Sequence, residues 1–212
     1  MNLSLKIQAF ISFLNMQIKI AEFITSAANL SQCPVSQYPE FAFFWRSNVG
    51  KSSLINGLTQ RKNLAKASKI PWKTRLFNFF LINKTWQLVD LPWYGYAKVT
   101  DNEKTRWLDT THDFLLSRKN LKQLFLLIDI SVPPQKIDLQ MAQTLLEENI
   151  PYTLVFTKID KISQKELNKN LKEFQKIEKE TKIPFSKAFF VSNTKGKGRK
   201  ELLDFIDGFL CL

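Results

Sequence analysis

The sequence predicts an α/β protein, a three-layer sandwich with a mostly parallel six-stranded sheet that contains one antiparallel strand. Short apolar runs alternate with helical patterns along the 212 residues, which is typical of a parallel sheet flanked by helices. The run at 121–130 is largely apolar, which indicates a central strand buried on both faces. The length suits a single domain, and a hydrophobic content of 44% predicts a globular chain.

The strands are expected where β-rich apolar runs lie between turn residues or helical patterns. Asn83-Lys84 separates two such runs at a spacing typical of a tight hairpin, so these two strands should be antiparallel to each other. The six predicted strands are 41–44, 76–82, 85–91, 121–130, 152–157 and 187–191.

The helices are expected where the apolar residues recur at helical spacing. Ser163 followed by Glu166 is a capping box, which predicts a helix start at that point. The basic segment 61–75 lacks periodicity and is predicted to be a mobile loop. The predicted helices are 52–60, 102–118, 135–148, 163–181 and 199–210.

Residues 1–16 are predicted to be an extension ahead of a single domain at 17–212. Their apolar run resembles a weak signal peptide, but Gln8 and Ser12 interrupt it and no small-residue cleavage site follows. No apolar run reaches the length of a membrane span. Cys33 and Cys211 stand alone, which indicates a reducing compartment. We therefore expect a cytoplasmic monomer with no membrane partner.

The net charge of +12 predicts a polyanionic partner, with nucleic acid ahead of membrane. A lysine-rich coding bias with solvated surfaces is the alternative. Part of the charge is patterned, because the lysines of the predicted helix 163–181 recur at helical spacing and form one stripe. These lysines are Lys165, Lys169, Lys172, Lys176 and Lys179.

The segment 41–53, FAFFWRSNVGKSS, has the strand–loop–helix context of a phosphate-binding P-loop. Its pattern is G-x-x-x-x-G-K-[ST], except that Trp45 stands at the first glycine. Backbone N–H groups in such a loop and the helix N-terminus cradle phosphate oxygens. Lys51 would reach the outer phosphates, and the hydroxyl of Ser52 would bind Mg²⁺.

Two further residues are candidates for the same magnesium site. Thr74 lies on the basic loop and can complete the Mg²⁺ shell once the outer phosphate is present. Asp90 ends a strand at the edge of the sheet where ligands of parallel sheets bind. The D-x-x-G pattern that begins at Asp90 would place glycine at position 93, where this chain has Trp93.

The tetrapeptide Thr157-Lys158-Ile159-Asp160 is a T-K-x-D variant of the guanine-reading motif. Asp160 can accept hydrogen bonds from guanine N1–H and the exocyclic amine, and adenine offers no such donor pair. This carboxylate therefore favours GTP over ATP. The segment after the last predicted strand would contact the guanine carbonyl through the backbone of Val191, Ser192 and Asn193.

Together these blocks resemble the EngB (YihA/YsxC) family of bacterial GTPases, which assist assembly of the large ribosomal subunit and are linked to cell division. RSNVGKSSLIN, RKNLA, VDLP-x-YGYAKV and TKID carry the resemblance, which runs from Gln17 to the C-terminus. It implies a Ras-like P-loop GTPase fold, hydrolysis of GTP to GDP, and Mg²⁺ as cofactor. It also implies the precursor of the large ribosomal subunit and its rRNA as partners, with a role in septation.

The resemblance implies Ser52, Thr74 and Asp90 as the metal ligands. The catalytic residues would be Lys51, Thr74 and Asn48. The implied nucleotide-binding residues are Trp45, Arg46, Ser47, Asn48, Val49, Gly50, Lys51, Ser52, Trp72, Lys73, Thr74, Asp90, Leu91, Pro92, Trp93, Thr157, Lys158, Ile159, Asp160, Val191, Ser192 and Asn193.

The resemblance departs from the family at positions that bear on catalysis. Tyr94 stands where many GTPases place a water-orienting glutamine, so slow intrinsic hydrolysis is expected. Asn48 resembles the asparagine of potassium-activated GTPases, which leads to the hypothesis that K⁺ or ribosomal RNA stimulates turnover. Ser131 replaces an arginine of the family. Asp129 and Asp138 are assigned to loop structure.

Trp45, Trp72 and Trp93 all occupy family glycine positions, and the chain has only 6 glycines. Glycine serves there for backbone freedom and close approach to phosphate. We infer that these codons are UGA, read as glycine in the source bacterium. The alternative is that the tryptophans are genuine and the chain is a degenerate, non-hydrolysing GTPase fold that acts as an rRNA-binding assembly scaffold.

Overall fold

The computed structural model describes residues 16–61, 64, 76–92, 110–192 and 194–211. The strands are β1 (Ala21–Ala27), β2 (Glu40–Trp45), β3 (Phe77–Ile82), β4 (Trp86–Asp90), β5 (Leu121–Asp129), β6 (Tyr152–Thr157) and β7 (Phe189–Phe190). The helices are α1 (Lys51–Thr59), α2 (110–117), α3 (Lys136–Glu147), α4 (Gln164–Thr181) and α5 (Arg199–Leu210). In the described ranges, each helix is too short or too polar to cross a membrane.

The strands form one seven-stranded sheet in the order β1-β3-β4-β2-β5-β6-β7. Among the described strands, β3 alone is oriented opposite to the rest, because it pairs antiparallel with β1 and β4 while the other pairs are parallel. The predicted α/β class with one antiparallel strand is confirmed. The predicted number of strands, six, was one too few.

The missing strand is β1, at the edge of the sheet. Its sequence AEFITSA lacks a clean alternation of apolar and polar residues, and most of it is exposed or half-buried. The register against β3 also shifts between Phe23 and Thr25, which breaks the period of two that identifies a strand. At the other edge, β7 is shorter than the predicted 187–191 because Phe185–Lys187 forms a 3₁₀ turn.

The local signals for the hairpin and for α4 are confirmed. Asn83 and Lys84 both have positive φ, 49° and 57°, as a two-residue hairpin turn requires. The Ser163 hydroxyl accepts a hydrogen bond from the Glu166 amide at 3.2 Å. The Glu166 carboxylate in turn accepts one from the Ser163 amide at 2.9 Å, which completes the capping box.

The sheet separates two apolar cores, which gives the predicted three layers. Successive side chains of β2 point to opposite faces of the sheet, so the strand contributes to both cores. Phe43 and Trp45 pack with α1 and α5 in one core. Ala42 and Phe44 pack in the other core, with residues of α2, α3 and α4. Every residue of β2 is buried, and this strand is the fourth of the seven in the sheet, so it lies at the centre of the fold.

The carboxyl ends of β2, β4, β5 and β6 meet at one edge of the sheet, because these strands are parallel. The register places Phe43 opposite Asp90 and Asp129 opposite Thr157. The loops that follow these strands carry the P-loop and T-K-x-D sequences. The fold therefore brings segments that are far apart in sequence to one side of the molecule.

Any side chain introduced at Gly198, just before α5, should lower the stability of the protein. Gly198 has a φ of 76°, and a Cβ built there would lie 1.9 Å from the carbonyl oxygen of Phe190. We expect Gly198→Ala to destabilise the protein by more than about 1 kcal/mol in urea unfolding. The matched control is Gly208→Ala within α5, where a Cβ meets nothing within 4 Å. That change should stabilise by about 0.5–1 kcal/mol, and equal effects would contradict the prediction.

Candidate functional site

The loop between β2 and α1 has the backbone that an anion-binding turn needs. Asn48 and Gly50 adopt left-handed conformations, with φ of 64° and 98°. Glycine and asparagine are the residues that enter this region most readily. The Val49 amide donates to the Arg46 carbonyl at 3.3 Å, and the Leu54 amide donates to the Gly50 carbonyl at 2.9 Å. The loop therefore turns tightly into the first turn of α1, where Ser52 lies.

A buried ion pair joins this loop to the end of β4. Lys51 Nζ lies 2.6 Å from Asp90 Oδ2, and the Asp90 side chain is only 1% exposed. Asn78 Nδ2 donates to the same oxygen at 3.2 Å. Burial raises the pKa of Asp90 above its ordinary value, and Lys51 opposes that shift. Asp90 Oδ1 is buried without a hydrogen-bond partner, so one oxygen of this carboxylate remains to be satisfied.

Trp45 fills the position of the first P-loop glycine. Its side chain is 4% exposed and packs in the core shared with α1 and α5. Lys51 Nζ lies 4.4 Å from the centroid of the indole, within the range of a cation–π interaction. Lys51 is thus held by both Asp90 and Trp45.

The T-K-x-D segment is bonded directly to the P-loop. The buried Thr157 hydroxyl donates to the Val49 carbonyl at 2.7 Å, across 108 positions of sequence. Lys158 follows with φ of 62°, and its Nζ lies 2.6 Å from Asp129 Oδ2. These contacts fix the segment after β6 against the loop after β2.

Asp160 lies beside the loop that follows β7. Thr194 Oγ1 donates to Asp160 Oδ2 at 2.8 Å, and Ser192 Oγ lies 3.3 Å from Thr194 Oγ1. The hydrogen bond from Thr194 lowers the pKa of Asp160, and Ser192 adds to the shift. Asp160 is ionised at neutral pH as any aspartate of ordinary pKa is, and the lowered pKa only extends the charged form to more acidic pH.

The structure brings most of the predicted site residues together at the carboxyl edge of the sheet. Leu91 and Pro92 follow β4 directly, and the Leu91 amide donates to the Phe43 carbonyl at 3.0 Å. Val191 and Ser192 follow β7, and the Val191 amide donates to the Phe156 carbonyl at 2.8 Å. The predicted residues that lie outside the described part of the chain are Trp72, Lys73, Thr74, Trp93 and Asn193. Tyr94 and most of the predicted loop 61–75 also lie outside it.

Within the described part of the chain, four polar side chains outside the predicted set contact predicted site residues. Asn78 is a polar residue in the otherwise apolar run of β3, and this interruption could have identified it from the sequence. It lies opposite Asp90 in the pairing of β3 with β4, which explains why a polar residue stands there. Thr194 comes directly after the predicted Asn193. Asp129 and Asp138 were assigned to loop structure, yet their partners are Lys158 and Arg46.

Whether this site can bind a metal ion depends on which side-chain donor atoms lie together in it. Within the described ranges, no three His, Cys, Asp or Glu side chains cluster as a metal cage. A magnesium ion in a nucleotide site is instead bound by a few protein oxygens together with phosphates and water. The unsatisfied Asp90 Oδ1 and the nearby start of α1 fit that kind of site.

Comparison with known proteins identifies the family. The family described as 50S ribosome-binding GTPase matches residues 40–158. A probable GTP-binding protein EngB of Cytophaga hutchinsonii is 46% identical over 187 residues, which cover 88% of this chain and 94% of that protein. The corresponding protein of Christiangramia forsetii is 45% identical over 193 residues, covering 91% and 98%.

The chain belongs to the EngB family.

As a member of the EngB family, the chain is a GTP-binding protein and a GTPase. A GTP-binding protein of Arabidopsis thaliana is 49% identical over 190 residues, or 88% of this chain, which spans 63% of that protein. The crystal structure of a probable GTP-binding protein EngB has a TM-score of 0.64 at 24% identity, over 81% of this chain and 98% of that one. At this identity the likeness shows the shared fold alone.

The depressed pKa of Asp160 predicts a specific pH behaviour. Thr194→Val removes the main hydrogen bond to the carboxylate, so the pKa measured by carboxyl NMR should rise toward the ordinary value of about 3.9. Because the folded-state pKa is lowered, the stability that this hydrogen bond contributes is present above the ordinary pKa. It is lost as the pH falls through the folded-state pKa.

Thr194→Ser keeps the hydroxyl and serves as the control for this titration. An Asp160 pKa that is the same in the Thr194→Val and Thr194→Ser variants would contradict the assignment of the shift.

Proposed function

We propose that this EngB protein binds GTP with Mg²⁺ at the carboxyl edge of its sheet and hydrolyses it to GDP during assembly of the large ribosomal subunit. The main support for the proposal is the ion pair between Lys51 Nζ and Asp90 Oδ2, which lie 2.6 Å apart at the carboxyl edge of the sheet. Asp160 lies at the same edge. Lys51 begins α1, Asp90 ends β4 and Asp160 lies after β6, and each has the chemistry that one part of a guanine nucleotide requires.

The phosphates would bind to the loop 45–52. Lys51 is a cation at the start of α1, where the helix dipole and the free backbone N–H groups favour an anion. Phosphate binding would exchange the carboxylate of Asp90 for phosphate oxygens as the partner of Lys51. Arg46, Ser47, Asn48, Val49 and Gly50 would supply the backbone of the cradle.

Mg²⁺ would be held by Ser52 and Asp90, with Thr74 as the third proposed ligand. The buried and unpartnered Asp90 Oδ1 supports this assignment. The ion supplies neutralisation of the charge on the β- and γ-phosphates when it is bound. The protein's own contribution is to keep Asp90 fixed, through Asn78 and through pairing within the sheet.

The guanine base would be read by the carboxylate of Asp160, which Thr194 orients through a hydrogen bond at 2.8 Å. An ionised carboxylate can accept from both N1–H and the C2 amine of guanine. Thr157, Lys158 and Ile159 would position this carboxylate. Val191, Ser192 and Asn193 form the segment proposed to lie against the guanine carbonyl. The amides of Val191 and Ser192 donate to the carbonyls of Phe156 and Lys197 at 2.8 Å and 3.0 Å, so the contact from this segment is proposed for the Asn193 amide.

The turnover is proposed to depend on an activator. Asn48, with its left-handed backbone in the P-loop, is the proposed contact for K⁺. The proposed catalytic residues remain Lys51, Thr74 and Asn48. Equal hydrolysis rates in Na⁺ and K⁺, with and without ribosomal subunits, would overturn this dependence.

The precursor of the large ribosomal subunit, with its rRNA, is the proposed partner. The net charge of +12 and the family's description as ribosome-binding support it. The five lysines on α4 at 165, 169, 172, 176 and 179 are exposed and lie opposite its buried residue Phe174. Action as a monomer in the cytoplasm, and a need for the protein in normal cell division, are part of the same proposal.

Asp160→Asn tests guanine recognition directly. The amide offers a donor where the carboxylate offered an acceptor, so it should repel the C2 amine of guanine and donate a hydrogen bond to the C2 carbonyl oxygen of xanthine. We expect GTP affinity to fall by about 100-fold or more, and binding of xanthosine triphosphate to appear in the same titration. ATP serves as the negative control. An unchanged affinity for GTP would overturn the assignment.

We further propose that positions 45, 72 and 93 are glycine in the native protein, encoded by UGA. The indole of Trp45 lies against Lys51 at 4.4 Å, where it restrains the cation that must bind phosphate. UGA at these three codons, with UGG at 86 and 107, would support the decoding. Genuine tryptophans would favour the alternative, a non-hydrolysing scaffold that binds rRNA.

Trp45→Gly should therefore tighten GTP binding by about tenfold, because a cation–π contact is worth about 1–2 kcal/mol when desolvated. The matched control is Trp86→Gly, which removes an equally buried indole from the same core. Both changes should lower the melting temperature, but only the first should improve GTP affinity in isothermal titration. Weaker binding by the Trp45→Gly protein would favour the scaffold.

A further inference from the structure

Two buried carboxylates outside the nucleotide-binding motifs each hold a cation of a nucleotide-binding loop. Asp129 is the last residue of β5, and Asp138 lies in the first turn of α3. Their side chains are 7% and 1% exposed. Carboxylates this deeply buried require charged or hydrogen-bonding partners. Both partners lie in the proposed site.

Asp138 is paired with the start of the P-loop. Arg46 Nε donates to Asp138 at 3.2 Å and 3.3 Å, to the two carboxylate oxygens. Arg46 follows the last residue of β2, and its side chain is 25% exposed. The first turn of a helix favours an anion, so α3 itself stabilises the carboxylate. The pair fixes the start of the loop relative to α3.

Asp129 is paired with the T-K-x-D segment. Its Oδ2 lies 2.6 Å from Lys158 Nζ. Its Oδ1 accepts hydrogen bonds from the Ser131 amide at 3.0 Å and from the Ser131 hydroxyl. Both oxygens are therefore engaged, and the carboxylate can turn only if these bonds break. Lys158 has a positive φ of 62°, a backbone conformation that needs support from its surroundings.

We propose that Asp138 and Asp129 are positioning residues for nucleotide binding, Asp138 for the phosphate loop through Arg46 and Asp129 for the guanine-reading loop through Lys158. The inference rests on the proposed function of the site. Since the two carboxylates hold different loops, loss of each should weaken binding of a different part of the nucleotide.

The experiment compares the affinities of the full chain for guanosine and for GDP. Asp138→Asn should weaken GDP binding about tenfold, a size typical of a misplaced binding group. It should leave guanosine binding within about twofold. Asp129→Asn should weaken guanosine and GDP by the same factor, about tenfold. Asp204→Asn, which breaks an exposed pair on α5, is the matched control and should change neither affinity.

Two measurements separate positioning from a general loss of structure. The ratio of the GDP and guanosine affinities should change in Asp138→Asn, whereas partial unfolding would lower both affinities by the same factor. In Asp129→Asn both affinities fall together, so the test there is that Lys158→Met/Asp129→Asn should bind guanosine no more weakly than Lys158→Met. The double variant Arg46→Met/Asp138→Asn should bind GDP no more weakly than Arg46→Met, because Asp138 acts through Arg46. If Asp138→Asn does not fold, Arg46→Met alone should show the same selective loss of GDP affinity.

The outcomes distinguish this inference from the proposed function. A parent chain that binds neither guanosine nor GDP, with either tryptophan or glycine at positions 45, 72 and 93, overturns both. A parent chain that binds them, with the Asp138 and Asp129 variants indistinguishable from Asp204→Asn, overturns the positioning roles alone. Additive losses from the Arg46 and Asp138 changes would also overturn the role of Asp138.

Discussion

The site depends on the parallel pairing of β2 with β4 on one side and with β5 on the other. This pairing is buried on both faces and places Phe43 opposite Asp90 and Trp45 opposite Leu127. Since β6 continues the parallel arrangement, the loops after β2, β4 and β6 leave from one edge. A shift of one residue in this register would move each side chain to the other face and separate Lys51 from Asp90.

Buried charge holds the loops at this edge together. Three carboxylates form ion pairs with cations from segments remote in sequence: Asp90 with Lys51, Asp129 with Lys158 and Asp138 with Arg46. Removing one member of a buried ion pair leaves the other charge buried without a partner. Such pairs therefore constrain geometry more than they add net stability. The pair between Lys51 and Asp90 differs from the other two, because both members are proposed to contact the bound nucleotide and its metal. The others would stay intact on binding.

The accuracy of the sequence predictions followed the strength of the local signals. The capping box of α4 and the Asn83-Lys84 turn act over a few residues, and both appear in the structure as expected. Strand β1 was not predicted, because it lies at an exposed edge and its register shifts. Its sequence therefore lacks the alternation of apolar and polar residues that identifies a strand. Similarly, the sequence assigned Asp129 and Asp138 only to loop structure. Their importance comes from contacts across 29 and 92 positions, which no local pattern encodes.

The sequence alone determined the chemistry of this protein. It specified the α/β class, the P-loop with Lys51 and Ser52, the carboxylate of Asp160, and the order in which they occur, because these depend on residue type and short spacing. Only the tertiary structure decided which partner each charged group has. Those partners follow from strand register and helix packing, which juxtapose residues far apart in the chain and bury them where an unpaired charge would be costly.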